Sequence, residues 1–218
     1  MLPLLLLPFC PVVWNRTKEQ LYKFLNDDTK LNAFEKWLYS NLNLEEELGS
    51  ENYLNLVSFN FKSKYANERL KTLVYGIIDK GDFEEWKITT KLQEFIEKPE
   101  LTKDLLNEFY RLYCGIPYVN SDTPKGYKFL QNLGLNYFYW IDEAYLKLSY
   151  GKKWSEYYKK YEAEIPFYHS QLVPVAKLIL SALESKEIEI LERGIYKITD
   201  RLKEKLEGEK ILSLEDHK

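Results

Sequence analysis

Histidine, cysteine and methionine are nearly missing from this chain, at two, two and one residues. A structural zinc site wants several Cys or His at short, fixed spacing. His169 and His217 have no such company, so no zinc centre is expected. A Ser or Cys nucleophile wants a neighbouring base, most often His. His217 lies in the tail, and His169 stands alone after Pro166-Phe167-Tyr168. Cys114 paired with His169 in space is the one nucleophile–base arrangement left, and no local signature supports it. Cys10 and Cys114 form no C-x-x-C pair, and one bridge is no disulfide framework, which points to a reducing compartment. Neither G-x-x-x-x-G-K-[ST] nor G-x-G-x-x-G occurs, so both nucleotide fingerprints are missing. No catalytic, cofactor-binding or metal-ligating residue is assigned, and the chain is read as a non-enzyme.

Charge of one sign is also scarce. The net charge is −3, far from the basic footprint of a nucleic-acid binder. Nucleic acid is therefore disfavoured as a partner. The longest apolar run opens the chain, in "MLPLLLLPFCPVVWNRTKEQ". Its roughly eight residues are too few to span a bilayer. It lacks the basic n-region and the A-x-A-like site of a signal peptide, and Pro3, Pro8 and Pro11 interrupt it. A cytoplasmic protein is expected, with export through this segment as the minor alternative. Asn15-Arg16-Thr17 matches a glycosylation sequon, a triplet common by chance.

What the chain has is helical periodicity. Thr17 and Gln20 make a capping-box pattern ahead of Leu21, Phe24 and Leu25. Phe34, Trp37, Leu38 and Leu42 follow at helical spacing, then a short acidic helix from Leu44 to Leu48 with Gly49 as its stop. Tyr53 to Phe61 fits both periods, and helical neighbours favour helix. Leu70, Leu73, Val74, Ile77 and Ile78 form a face that ends near Lys80-Gly81, with Asp82 capping the next helix up to Pro99. Thr102 caps another, carrying Leu105, Phe109 and Leu112. Later helices are expected to end at Gly151 and at Pro166, and a further one carries Leu172, Val175, Ala176 and Ile179. The last is expected from Ile188 through Leu202; its three-four repeat spans only two heptads, which favours a core-docking helix over a coiled-coil dimer seam. The fold expected is all-α, a bundle of about nine helices with room for one short strand near 53–61. The loop "CGIPYVNSDTPKG" divides it into helical domains 1–113 and 127–218, unless the chain is one continuous domain across 114–126.

Two clusters bear on function. Lys152, Lys153, Lys159 and Lys160 interleave with Trp154, Tyr157, Tyr158 and Tyr161. Such mixtures bind single-stranded nucleic acid in some proteins, but these aromatics fall on one helical stripe, as a core face does. The carboxylates Asp142-Glu143, Asp82 with Glu84-Glu85, and Glu45-Glu46-Glu47 have no inward-facing Glu-x-x-His pattern. They are read as solvated faces.

Phe34 to Leu70 reads as a compact helical unit without chemistry, offering an acidic knot beside aromatics. That surface would steer and seat a basic protein partner. Glu45, Glu46 and Glu47 are the candidate partner-binding residues. "FEKWLY", "LEEELG" and "YLNLVSFNFKSK" together resemble the F-E-x-W-[LI]-Y … L-E-x-x-L-G … Y-L-x-L-[IV]-S pattern of small bacterial immunity proteins of polymorphic toxin systems. The resemblance covers about residues 20–75 and brings no binding residue with it. It implies a bacterial, cytoplasmic, non-enzymatic protein that binds and neutralises a cognate toxin domain. Two alternatives stand beside it: an accessory or enzymatic protein of a phage-defence or mobile-element system, and a structural helical scaffold dimerising through Ile188 to Leu206.

Overall fold

The computed structural model describes residues 16–115 and 126–208. The apolar opening with Cys10 and Asn15, and most of the 114–126 loop, lie outside the described residues. The fold is all-α with a two-stranded antiparallel sheet. The chain forms two compact units, which divide at Asp79–Lys80.

The first unit holds α1 (Arg16–Leu25), α2 (Leu31–Ser40), α3 (Leu44–Leu48), α4 (Ser50–Val57) and α5 (Ala66–Ile77). Its core is the set of faces that helical spacing marks out. Leu21 and Phe24 of α1, Phe34 and Leu38 of α2, and Leu70 and Val74 of α5 are all buried. Phe24 and Phe34 stack with ring centroids 4.2 Å apart. Burying each such side chain contributes ~1.5–3 kcal/mol, which is what fixes these short helices. Thr17 does not cap α1; it sits in the first turn and is buried. Residues 53–61 are not a strand: α4 runs to Val57 and the chain then turns through Ser58–Ser63. Gly49 ends α3 as its position suggests, at φ 80°, with its N–H on the Glu45 carbonyl at 2.9 Å. That φ is open to glycine and strained for other residues.

The second unit holds α6 (Lys80–Glu97), α7 (Thr102–Cys114), α8 (Gln131–Trp140), α9 (Glu143–Tyr150), α10 (Trp154–Glu184), β1 (Ile188–Glu192), β2 (Ile195–Ile198) and α11 (Asp200–Gly208). Its core is built from Leu92 and Phe95 of α6, Phe109 of α7, Leu133 of α8, Leu172, Ile179 and Leu183 of α10, and others. His169 belongs to this packing. It is buried, and its Nε2 donates to the Phe95 carbonyl at 2.7 Å, so it is a structural residue.

Several expectations are corrected here. The unit boundary does not fall in 114–126. The Tyr127 N–H donates to the Leu112 carbonyl at 2.9 Å, and a Cβ on Gly134 of α8 would lie 2.9 Å from Tyr110 Cα of α7. The chain on the two sides of that loop shares one core. Gly81 does not end a helix but lies in the first turn of α6, where the absent side chain admits the backbone of β1. Pro166 does not end α10, which continues through it and through Pro174. Both prolines lie on the exposed face, where water can take up the carbonyls their missing N–H groups leave.

The largest correction concerns Ile188–Leu202. It is a hairpin and a short helix, not one helix. Ile188 and Ile190 alternate with exposed Glu189 and Leu191. Gly194, at φ 69°, makes the turn that pairs Glu192 with Ile195. Apolar residues at 188, 191, 195, 198 and 202 repeat at three and four like a heptad, but residues three apart lie on opposite faces of a strand, and Leu191 is exposed where Ile188 is buried. The segment does dock on the core, through Ile188, Ile190 and Leu202, and the alternative dimer seam is not one helix face.

Candidate interaction surface

In the first unit the acidic trio sits on α3, a helix of five residues. All three side chains are exposed. Glu45 is fastened to the start of α4, its Oε1 accepting from Ser50 Oγ at 2.8 Å. Glu46 is exposed, and Glu47 lines a cleft. The structure thus gives different surroundings to three residues that are equivalent in sequence.

The same stretch carries unusual exposed apolar surface. Leu42 is 94% exposed, and Tyr39 and Leu54 are more than half exposed. Tyr39 of α2 is held in place by its hydroxyl, which donates to the Val57 carbonyl at 3.1 Å. Its ring lies 6.1 Å from that of Phe61, which meets Phe59 edge-on at 5.3 Å. Phe59 and Phe61 are only partly buried. A single exposed Leu needs no explanation, but clustered aromatics with fixed rotamers are the anchors that interfaces use.

The cleft has a volume of about 170 Å³. Thr17, Lys18, Leu21 and Tyr22 of α1 line it, together with Glu47 and Leu48 of α3 and Asn52 of α4. Ile77, Ile78 and Asp79, where α5 ends, complete it. Asn52 is oriented by its Nδ2, which donates to the Leu48 carbonyl at 2.9 Å.

The second unit contains a feature that the sequence reading missed. Glu84 and Glu85 are not solvated; both are buried in α6. Glu84 accepts from the Tyr127 hydroxyl at 2.9 Å and pairs with Lys87 at 3.1 Å. Glu85 accepts both contacts of Lys186, at 2.7 and 3.0 Å. Burial pushes the Glu85 carboxyl above the usual carboxylate range, against the pull of the Lys186 hydrogen bond and charge; Asp82 and Glu189 push it further up. The Tyr127 hydroxyl is raised chiefly by burial, then by the adjacent Glu84 carboxylate. The sequence does carry a signal: Phe83 and Trp86 flank the pair, and a helix turn with large apolar residues on both sides leaves little room for solvent. Among the described residues, no group of three or more His, Cys, Asp or Glu side chains is placed to hold a metal ion.

The basic–aromatic segment behaves as a core face. Trp154, Tyr157 and Tyr158 are partly buried against the second unit's core, and Tyr161 is buried in it. Tyr150 stacks on Tyr157 at 3.8 Å, while Lys147 sits 4.4 Å over the Trp154 ring. Lys152, Lys153, Lys159 and Lys160 are exposed. Cys114, partly buried, carries a free thiol and hydrogen-bonds Tyr110; burial, then that contact, pushes the Tyr110 hydroxyl up to about 12. No helix among the described residues is long and apolar enough to cross a membrane.

No family model, curated protein or solved structure matches the chain.

Proposed function

We propose that this chain is a non-catalytic, immunity-type protein of the bacterial cytoplasm that binds a cognate toxin domain and neutralises it. The observation that carries the proposal is the exposure of Tyr39, Leu42 and Leu54, with the Phe61 ring beside Tyr39, in the same stretch as the exposed carboxylates of α3. Aromatic and aliphatic anchors supply affinity by leaving water, and nearby charge sets the rate of encounter. The likeness of "FEKWLY", "LEEELG" and "YLNLVSFNFKSK" to immunity proteins supports the same conclusion, because it falls on this stretch. In this scheme Glu45, Glu46 and Glu47 steer a basic partner, and Tyr39 and Leu42 seat it.

The test is capture of the partner from the source bacterium under high-salt washing, followed by expression of that partner alone and with this chain. The expected result is one stoichiometric protein that is toxic alone and harmless in the pair. The Leu42→Asp variant should lose both capture and protection. A partner whose toxicity this chain does not relieve, or no stoichiometric partner, overturns the proposal.

A further inference from the structure

We propose that the outer edge of β2 is a docking edge for an extended segment of a protein partner, one that alternates apolar and acidic residues. This edge belongs to the second unit and does not depend on the toxin-binding surface of the first. The Thr199 N–H donates to the Glu187 carbonyl at 3.1 Å, which makes 187 and 199 a hydrogen-bonded pair of the ladder. Such pairs alternate between antiparallel strands, so Ile188–Ile198 and Ile190–Tyr196 turn their N–H and C=O groups away from the neighbouring strand. On the β1 side α6 closes the edge, where a Cβ on Gly81 would lie 2.3 Å from the Ile190 carbonyl oxygen. On the β2 side, among the described residues, no hydrogen bond reaches the backbone N–H or C=O of Tyr196 or Ile198. β2 holds no proline, and the bulge of this hairpin falls between Ile190 and Glu192 of β1. Two donors and two acceptors along one edge are a template for a further strand.

The side chains set what that strand carries. Tyr196 and Ile198 share the core face with buried Ile190 and Ile188, and both stay partly exposed. Apolar side chains on an added strand would continue this row. Lys197, exposed on the opposite face, has Glu189 on its β1 side at 3.2 Å. A carboxylate on its other side would complete a row of alternating charge. From Arg193 to Lys203 the chain carries Arg193, Lys197, Arg201 and Lys203 against Asp200 alone, which favours an acidic segment. A second copy fits worse. Pairing β2 with β2 so that Tyr196 faces Ile198 sets Lys197 against its own counterpart, and like charges directly opposite are destabilising.

The test is a titration of the full-length, ¹⁵N-labelled protein with acetyl-Thr-Val-Glu-Val-Thr amide, read by amide chemical shifts and hydrogen exchange. One control is the same peptide N-methylated at both valines, which lacks the donors that would face β2. The other carries Lys in place of Glu. A fragment of this size should bind with a dissociation constant on the order of 1 mM. Shifts should centre on 194–199 and on 127–129, which pack against Tyr196. The Tyr196 and Ile198 amides should exchange several-fold more slowly near saturation. The N-methylated peptide should be silent and the lysine peptide several-fold weaker. Lys197→Glu, shown to be folded by the same spectra, should reverse the order of the two charged peptides. The proposal is overturned if the N-methylated or the lysine peptide binds equally, if the two amides are not slowed, or if saturation is not approached by about 20 mM. Slow exchange of both amides in the free protein also overturns it, because the edge is then already filled: by the chain itself if dilution leaves the exchange unchanged, and by a second copy if dilution speeds it. Leu42→Asp should bind the peptide normally, so failure of this edge and failure of toxin binding are read apart.

Discussion

Lys186 reaches across 101 residues of sequence to Glu85, placing its Nζ 2.7 and 3.0 Å from the two carboxylate oxygens. Lys186 is one of two non-glycine residues with positive φ among the described residues, at 58°. It stands at the junction where α10 gives way to β1, so the ion pair fastens the base of the hairpin to α6. Because the Glu85 carboxyl is raised on folding, the folded chain holds that proton more firmly than the unfolded one. The stability this confers is fully present below the unfolded carboxylate pKa of about 4.3 and is lost as pH rises through the higher folded value. Once ionised, Glu85 is a buried charge whose desolvation Lys186 only partly offsets. Glu85→Gln should leave stability at pH 7 unchanged or raise it. Lys186→Ala should lower it by ~1–3 kcal/mol, through the uncompensated carboxylate. Urea unfolding of both at pH 7 and near pH 4 checks this. The Lys186→Ala penalty should shrink at the lower pH, and an equal penalty at both would show that ionisation of Glu85 is not involved.

Tyr127 and Glu84 form a second buried pair, with the phenol donating. Tyr127→Phe removes the donor and leaves a carboxylate, 2% exposed, with Lys87 alone. Leaving a buried acceptor unmatched costs about 1–3 kcal/mol. Glu84→Gln in the same chain should recover part of that loss. A double-mutant cycle measures the coupling, expected above ~0.5 kcal/mol for groups in contact; strictly additive losses would mean that the hydrogen bond contributes nothing.

Gly81 separates two opposing effects of one methyl group. Gly to Ala within a helix normally stabilises by ~1 kcal/mol. At Gly81 the added Cβ would come 2.3 Å from the Ile190 carbonyl oxygen and 2.9 Å from that of Leu191. Both are backbone atoms of a paired strand and cannot swing aside. Overpacking of this kind costs ~1–3 kcal/mol, so Gly81→Ala should be destabilising on balance. Faster hydrogen exchange of the β1 amides would locate the damage. A stabilised Gly81→Ala chain would show that the hairpin yields at no cost.

Much of the helical content was legible because each face is written locally. Gly49 stops α3, Pro99 follows α6, and Leu70 and Val74 mark the buried side of α5. What escaped was set by distant chain. Glu84 and Glu85 look like a solvated pair until Tyr127 and Lys186 arrive from far along the sequence. Pro166 reads as a stop, yet the packing of Tyr161, Tyr168 and Leu172 carries α10 past it. The α3 carboxylates were legible as exposed acids, but the cleft behind Glu47 was not. Its other walls come from α1 and the end of α5.

Exposure makes the acidic trio a clean test of binding. Replacing Glu45, Glu46 and Glu47 with Lys removes one hydrogen bond, Ser50 to Glu45, and three favourable charges from a first helical turn. Each dipole contact is worth a few tenths of a kcal/mol at an exposed site. The variant should lose less than about 1.5 kcal/mol and remain folded by circular dichroism. Association with a basic partner should slow at least tenfold at low salt, and its salt dependence should flatten. An unchanged on-rate in a folded variant would remove these residues from the encounter.

The last prediction concerns the segment expected to be a core-docking helix, with a dimer seam as the alternative. Ile188 and Ile190 of β1, with Leu202 and Leu206 of α11, are buried in the second unit's core. Asn132 Nδ2 also donates to the Leu206 carbonyl at 3.0 Å, capping α11 against α8. A chain ended at Lys186 would lose four buried aliphatic side chains at ~1.5–3 kcal/mol each, a sum comparable to the whole stability of an ordinary domain. It should therefore lose cooperative unfolding of the second unit, gain dye-binding apolar surface and expand, as partly packed helical states do. A scaffold joined through an exposed helix would behave differently, changing only its mass by light scattering and keeping its melting transition. Intact cooperativity in the shortened chain would return the segment to the surface and count against its place in the core.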